Sequence, residues 1–124
     1  MNAQDYLAKA VRALESAAAL LEKEDFEGSA NRAYYAMFHA ARGALASRNV
    51  EIRSRKHGAL VGQFSRHLIA DGSLPKALGR TINEVQKLRH VGDYDAPTLA
   101  RTDAEEALQS AQEFVAAVQR LMRR

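Results

Sequence analysis

Apolar side chains recur at steps of three and four residues along most of the chain, and polar or charged residues fill the positions between them. This spacing places the apolar side chains on one face of an α-helix. It predicts a first helix over about residues 3–24, a second that follows an interruption at 25–29 and runs to about 47, and a third over about 56–71. Residues 48–55 are predicted to form a basic loop, and Gly72 is the expected end of the third helix.

The second half of the chain carries two more helical patterns. Ser73 is the predicted N-cap of the fourth helix, Pro75 suits its first turn, and Gly92 is the expected stop after a pattern that reaches residue 89 or 90. Residues 92–97 are predicted to form a turn-rich connection. Thr102 and Glu105 then have the spacing of a capping box at the start of the last helix. Because no segment alternates convincingly as a strand, the prediction is an all-α bundle of four long helices and about one shorter helix.

The composition is that of a globular protein, with 124 residues of which 47% are hydrophobic and 27% charged. A chain of this length can bury a real core, and we expect one domain over residues 1–124. The absence of cysteine excludes disulfide scaffolds, thiolate zinc sites and cysteine nucleophiles. The four histidines show no recognisable ligand spacing, so neither a metal nor a cofactor is expected.

The N-terminus lacks a signal-peptide pattern, and no apolar run approaches the roughly eighteen residues of a membrane span. We therefore expect a cytoplasmic protein that does not enter a membrane. The net charge is only +3, but six Lys or Arg stand against one acidic residue between Arg42 and Arg66. This local excess of positive charge attracts phosphate.

The second helix carries the first candidate for chemistry. Arg32, Tyr35, His39 and Arg42 fall at positions i, i+3, i+7 and i+10, which places them on one stripe beside the apolar face. A histidine with an ordinary pKa of about 6.5 can transfer protons, and a guanidinium can stabilise charge on a phosphate. The alternative is that the aromatic stripe packs the core or contacts another subunit.

A second candidate lies at the end of the fourth helix, where Arg89 and His90 precede Asp93 and Tyr94. This corner is either a functional loop or a helix-end ion pair of Arg89 with Asp93, across which Tyr94 packs. Lys56 and His57, at the start of the third helix, form either a basic surface with a cap or a phosphate contact. The chain has no glycine-rich phosphate loop, Gly-x-Ser-x-Gly elbow or His-Glu-x-x-His motif.

Three stretches together resemble the HEPN superfamily, and in particular its small stand-alone prokaryotic members. They are Asn-Arg-Ala-Tyr-Tyr-Ala-Met-Phe-His-Ala-Ala at 31–41, Lys-His-Gly at 56–58, and Arg89-x-x-x-Asp93-Tyr94-Asp95. The resemblance implies an up-and-down bundle of four or five helices that commonly forms a homodimer. Many such proteins are metal-independent RNases or toxins paired with minimal nucleotidyltransferase antitoxins, and others are non-catalytic binding modules.

The resemblance also suggests roles for individual residues. Nucleolytic members have an arginine followed four to six residues later by a histidine; Arg89 matches the arginine, but Tyr94 stands five positions later. One hypothesis is therefore a metal-independent RNase toxin in which the imidazole comes either from His90, adjacent to Arg89, or from His39, seven residues after Arg32. Its catalytic candidates are Arg89, His39, Arg32 and Asp93, and its nucleotide- or RNA-binding candidates are Tyr35, Arg42, Lys56, His57 and His90.

Two other hypotheses stay open on the sequence. One is a non-catalytic module that binds a nucleotide or a nucleotidyltransferase partner through the same residues. In related pairs the partner can modify a tyrosine near the motif with AMP, and Tyr94 matches that tyrosine by location. The other is a helical dimerisation protein whose motif residues pack an interface.

Overall fold

The protein is built from helices. The computed structural model describes residues 1–94 and 99–123, with the side chains of 91–94 excepted, and this part of the chain contains five α-helices and no strand. The helices are α1 Ala3–Glu22, α2 Phe26–Ala46, α3 His57–Phe64, α4 Lys76–Tyr94 and α5 Arg101–Met122, and a π-helical segment, Ser65–Ile69, continues α3. The predicted all-α helical bundle is confirmed.

The first two helices form an antiparallel hairpin with a short connection. Asn2 and Asp5 form a capping box at the start of α1. At the start of α2, the Asp25 carboxylate accepts a hydrogen bond of 2.9 Å from the Gly28 backbone N–H. Because this cap satisfies a free helix-terminal donor, α2 begins at Phe26, so the interruption predicted at 25–29 does not extend beyond Asp25.

The core is rich in alanine along α1, α2 and α5. These small side chains let the helix backbones approach closely, most clearly at Gly43, where an added Cβ would lie 3.2 Å from the Ala3 carbonyl oxygen. The larger core residues include Phe64 and Phe114, whose stacked rings are 5.3 Å apart. No helix within the described residues is both long enough and apolar enough to cross a membrane.

The start of α4 differs from its prediction. The helix begins at Lys76, so Ser73 is not its N-cap. The Ser73 N–H instead donates to Asp71 at 2.8 Å, and its hydroxyl accepts from Arg48 at 3.0 Å. The predicted stop of the third helix at Gly72 does mark a chain reversal, because Gly72 has φ of +81°, which favours glycine.

The end of α4 and the start of α5 also differ. Helix α4 continues through Gly92 to Tyr94, so the predicted stop is wrong, and the rest of the predicted turn falls mostly on 95–98, outside the described residues. A single glycine costs a helix only about 1 kcal/mol, which its neighbours can offset. Helix α5 begins at Arg101 with Ala100 as its N-cap, so Thr102 lies within the first turn and the predicted capping box of Thr102 with Glu105 is wrong. The Asp103 carboxylate accepts a hydrogen bond of 3.1 Å from the Ala100 N–H, but the Ala100 side chain has no polar atom with which to cap the helix.

Candidate functional site

A cavity of about 410 Å³ opens between α1, α2, α3 and α4, and we call it the main cavity. Four of its lining residues are cationic, and none of those in the described part of the chain is acidic. Aromatic rings form much of the remaining wall. The lining residues are Met1, Tyr6, Lys9, Tyr34, Tyr35, Phe38, His39, Arg42, Arg55, His57, Gln86 and Arg89.

Arg89 reaches the main cavity from α4 and lies against the aromatic residues of α2. Its guanidinium carbon is 5.0 Å from the centre of the Tyr34 ring and 5.8 Å from that of Tyr35. Its Nε donates to the Gln86 side-chain oxygen at 3.0 Å. Cation–π contact and this hydrogen bond fix the plane of the guanidinium. The structure therefore brings the two candidate stretches of the sequence, on α2 and α4, to one cavity.

His39 lies half-buried in the same wall. Burial lowers its pKa to about 4, and the charges of Lys9, Arg32 and Arg42 lower it in the same direction. Its Nδ1 atom is buried and makes no hydrogen bond within the described residues. The imidazole is therefore neutral at neutral pH and lies in the positive field of these three cations.

Tyr34 and His57, which line the main cavity, form a hydrogen-bonded chain with Asn83. The Tyr34 hydroxyl lies 2.9 Å from His57 Nδ1, and His57 Nε2 lies 2.7 Å from the Asn83 side-chain oxygen. The Asn83 amide nitrogen donates to the Gly79 carbonyl at 3.1 Å, so its oxygen must be the atom that faces His57. His57 therefore donates from Nε2, and in its neutral form accepts from Tyr34 at Nδ1. Burial raises the pKa of Tyr34 to about 12 although Arg89 lowers it, so the hydroxyl stays a donor.

Arg42 combines a structural contact with its place in the cavity. One guanidinium nitrogen donates to the Ile52 carbonyl at 2.7 Å, which ties the predicted basic loop to α2. The guanidinium carbon is 5.3 Å from the Tyr6 ring centre and 5.8 Å from that of Phe38. Its charge is thus held in place by the fold.

Some candidates from the sequence lie elsewhere. Arg32 lines a neighbouring cavity rather than the main one, although its guanidinium carbon is 5.5 Å from the Tyr35 ring centre. Lys56 and His90 are exposed and do not line the main cavity. Asp93 and Tyr94 are among the residues whose side chains are not described, so their suggested roles stay predictions.

Sequence reasoning missed several residues of the wall, notably Tyr6 and Lys9 on α1 and Arg55 in the loop. On α1 they belong to the polar positions of an ordinary amphipathic pattern. Their place in the cavity depends on how α1 packs against α2. The one available signal was the excess of cations between Arg42 and Arg66, which includes Arg55 but neither Tyr6 nor Lys9.

The fold and the site define an all-α bundle with a cationic, aromatic-lined cavity between its helices. The chain belongs to the HEPN domain family, whose match covers residues 3–121, and the resemblance inferred from the three sequence stretches is confirmed.

Individual relatives agree with this assignment. A "UPF0332 protein" of Gloeobacter violaceus is 36% identical over 91 residues, which cover 73% of this chain and 71% of the relative. A "Putative toxin" of Methanocaldococcus jannaschii is 27% identical over 110 residues, covering 89% and 81%. The crystal structure of a Thermus thermophilus protein is similar with a TM-score of 0.80 and 25% identity, covering 98% of this chain and 99% of that one.

Proposed function

We propose that this HEPN protein is a toxin that binds RNA in the main cavity and cleaves it without a metal ion. The observation that carries the proposal is the meeting of His39 and Arg89 in one cavity whose described lining has no acidic side chain. An imidazole can act as the base in phosphodiester cleavage by an internal nucleophile, and a fixed guanidinium can stabilise the charge that develops on the phosphate.

Binding follows from the charge and the rings of the wall. A phosphodiester carries one negative charge, and Lys9, Arg42, Arg55 and Arg89 offer charge-assisted donors to it. Unstacked bases pack on aromatic side chains, and Tyr35 is a half-buried ring at this surface. The cavity therefore suits a single-stranded segment better than a duplex.

The chemical step uses His39 as the base. It takes the proton of the ribose 2′-hydroxyl while the 2′ oxygen forms a bond to phosphorus and the bond from phosphorus to the 5′ oxygen breaks. The leaving 5′ oxygen takes a proton from water, which leaves a 2′,3′-cyclic phosphate and a 5′-hydroxyl. Arg89 stabilises the charge that builds on the phosphoryl oxygens.

The low pKa of His39 bears directly on this step. Alone, an imidazole with a pKa of about 4 is a weak base. Two of the three cations that depress its pKa, Lys9 and Arg42, also line the main cavity, and a bound phosphate offsets their charge. A bound phosphate thus opposes the part of the pKa decrease that these charges cause, whereas the larger part, which burial causes, remains.

The toxin role draws on the comparisons, because two similar proteins of M. jannaschii carry the printed name "Putative toxin". The same proposal includes a partner: the protein is a cytoplasmic homodimer, and a minimal nucleotidyltransferase antitoxin regulates it by modifying Tyr94 with AMP. A phosphate-bearing adduct on Tyr94 would add negative charge near Arg89 in sequence and oppose RNA binding.

A second function, a non-catalytic module for RNA or nucleotide binding, is favoured by one observation. In neutral His57 both ring nitrogens have partners in Tyr34 and Asn83, and His39 is unprotonated at neutral pH. Neither imidazole is therefore placed as a ready proton donor for the leaving oxygen. A cavity of this kind binds phosphate whether or not it accelerates cleavage.

The deciding experiment incubates the purified protein with single-stranded RNA in EDTA. We expect cleavage with cyclic-phosphate ends, loss of cleavage with retained RNA binding in His39→Gln, and loss of both in Arg89→Ala. Arg66→Ala, which removes an exposed arginine outside the described cavities, is the matched control and should cleave normally. If the wild type binds RNA but leaves it intact, the binding module is the correct function.

A further inference from the structure

A second cavity lies beside the main one, between α1 and α2, and has a volume of about 350 Å³. We call it the side cavity. It is lined by Lys9, Arg12, Ala13, Ser16, Arg32 and His39. Lys9 and His39 line both cavities, so the two spaces adjoin at these side chains.

The lining residues follow the axes of the two helices. On α1, Lys9, Arg12 and Ser16 stand at i, i+3 and i+7, which is one face of the helix. On α2, the stripe from Arg32 to Arg42 spans about 15 Å at the usual rise per residue. One phosphate cannot contact both ends of a groove of this length, whereas successive phosphates of a strand can.

The charge of the side cavity has one sign. Lys9, Arg12 and Arg32 line it, and its described lining contains no carboxylate. Lys9 and His39 belong to the lining of both cavities, and the Tyr35 ring lies within cation–π distance of Arg32 at 5.5 Å and of Arg89 at 5.8 Å. A polyanion that leaves the main cavity past His39 therefore meets cations in the side cavity.

We propose that the side cavity is a second phosphate subsite that holds the backbone phosphate next to the one at His39 and Arg89. The ligand is then a single-stranded RNA segment with at least two phosphates rather than a mononucleotide or a free phosphate. The choice of RNA rests on the proposed function, whereas the subsite itself rests on the arrangement of Arg12, Arg32 and Lys9.

The test measures binding alone, with 2′-O-methyl oligouridylates that cannot be cleaved by their own 2′-oxygen. Lengths with one to four internucleotide phosphates compete with a labelled strand in fluorescence anisotropy. Arg12 is the residue to change because it is exposed and lines only the side cavity. Arg66→Gln, with the same change in charge, is the control, and thermal unfolding followed by circular dichroism checks that both variants fold.

We expect wild-type affinity to rise from one phosphate to two, and Arg12→Gln to remove most of that gain. On the longer strands, Arg12→Gln should lower the affinity about fivefold, which corresponds to the upper end of the energies found for exposed ion pairs. The affinity for the single-phosphate ligand should change little. The slope of log affinity against log salt should fall by about 0.7, the value for one phosphate contact on a single strand. Arg66→Gln should change neither quantity in a length-dependent way.

Equal behaviour of Arg12→Gln and Arg66→Gln at every length overturns the subsite, even if RNA is cleaved. The same holds if Arg12→Gln weakens the single-phosphate ligand as much as the longer ones, because the residue then acts only through the general field. If unmodified RNA is not cleaved but the length dependence is lost in Arg12→Gln alone, the subsite stands and the proposed cleavage does not. Absence of any oligonucleotide binding refutes both.

Discussion

The hydrogen bonds that join Tyr34, His57 and Asn83 in the wall of the main cavity predict the effect of a single substitution on stability. Tyr34→Phe removes the hydroxyl that donates to His57 Nδ1 at 2.9 Å and leaves the ring in place. Tyr34 is only 3% exposed, so its hydroxyl depends on that acceptor rather than on water. A buried hydrogen bond contributes a net of about 1 kcal/mol to the free energy of unfolding. His57 is only partly buried, so for Tyr34→Phe we expect a loss near this typical value, about 1 kcal/mol.

The matched control is Tyr35→Phe, which removes a hydroxyl from the neighbouring ring while that ring stays half-buried. Urea unfolding should give Tyr34→Phe a lower midpoint at an unchanged m-value, with Tyr35→Phe near the wild type. For a chain of this size, about 1 kcal/mol corresponds to a decrease in Tm of about 3–5 °C. Equal stability of the two variants would refute the donor role of Tyr34.

The pH dependence of stability is a second test of the hydrogen bond between Tyr34 and His57. Burial raises the pKa of Tyr34 in the folded state to about 12 from its ordinary 10. The unfolded chain therefore releases the Tyr34 proton first as the pH rises, so this contribution to stability is complete below pH 10 and is lost towards pH 12. The stability of Tyr34→Phe should fall less steeply across this range. An identical slope in both proteins contradicts the buried, protonated hydroxyl.

Two further predictions concern His39 and Gly43. Folding lowers the pKa of His39 from 6.5 to about 4, so as the pH drops the unfolded chain binds the proton first and the free energy of unfolding decreases between these values. Measured by chemical unfolding, this decrease should be smaller in His39→Gln than in the wild type. An equal decrease in both proteins would contradict the burial of His39. Gly43→Ala should destabilise the protein by about 1 kcal/mol because its Cβ would press on α1, whereas Gly62→Ala, with open space around it, should be stabilising through helix propensity. Thermal unfolding should give Gly43→Ala a lower Tm and Gly62→Ala a higher Tm than the wild type. A higher Tm in both variants would contradict the close packing of α1 on α2.

The candidate site on α2 could be predicted because its residues lie on one helix. Tyr35, His39 and Arg42 reach the main cavity together, as their shared stripe indicates. The spacing of α-helical side chains fixes which of them share a face, and this is a local property. The same spacing placed Arg32 with them, but Arg32 lines the side cavity, because the packing of α1 on α2 decides which part of the α2 stripe each cavity exposes.

The ends of the helices were harder to predict, for a physical reason that Ser73 illustrates. Its side chain can cap a helix, but in the folded protein it accepts a hydrogen bond from Arg48, a residue distant in sequence. At the start of α5, the Leu99 N–H donates to Glu27 of α2 at 3.1 Å, and Arg101 pairs with Glu24 at 2.6 Å. Such contacts between residues far apart in sequence compete with local caps, and no local pattern contains them.

The sequence by itself determined the helices, their buried faces, and the presence of a histidine among arginines on α2. The tertiary structure decided that Arg89 joins them, that Lys9 and Arg12 extend the cationic surface, and that His57 is engaged by Tyr34 and Asn83. It also decided that His39 is neutral, since its pKa depends on burial and on charges from α1 and α2 together. Periodicity is set by neighbours along one helix, whereas a cavity and its electrostatic field are set by residues that only packing brings within a few ångströms.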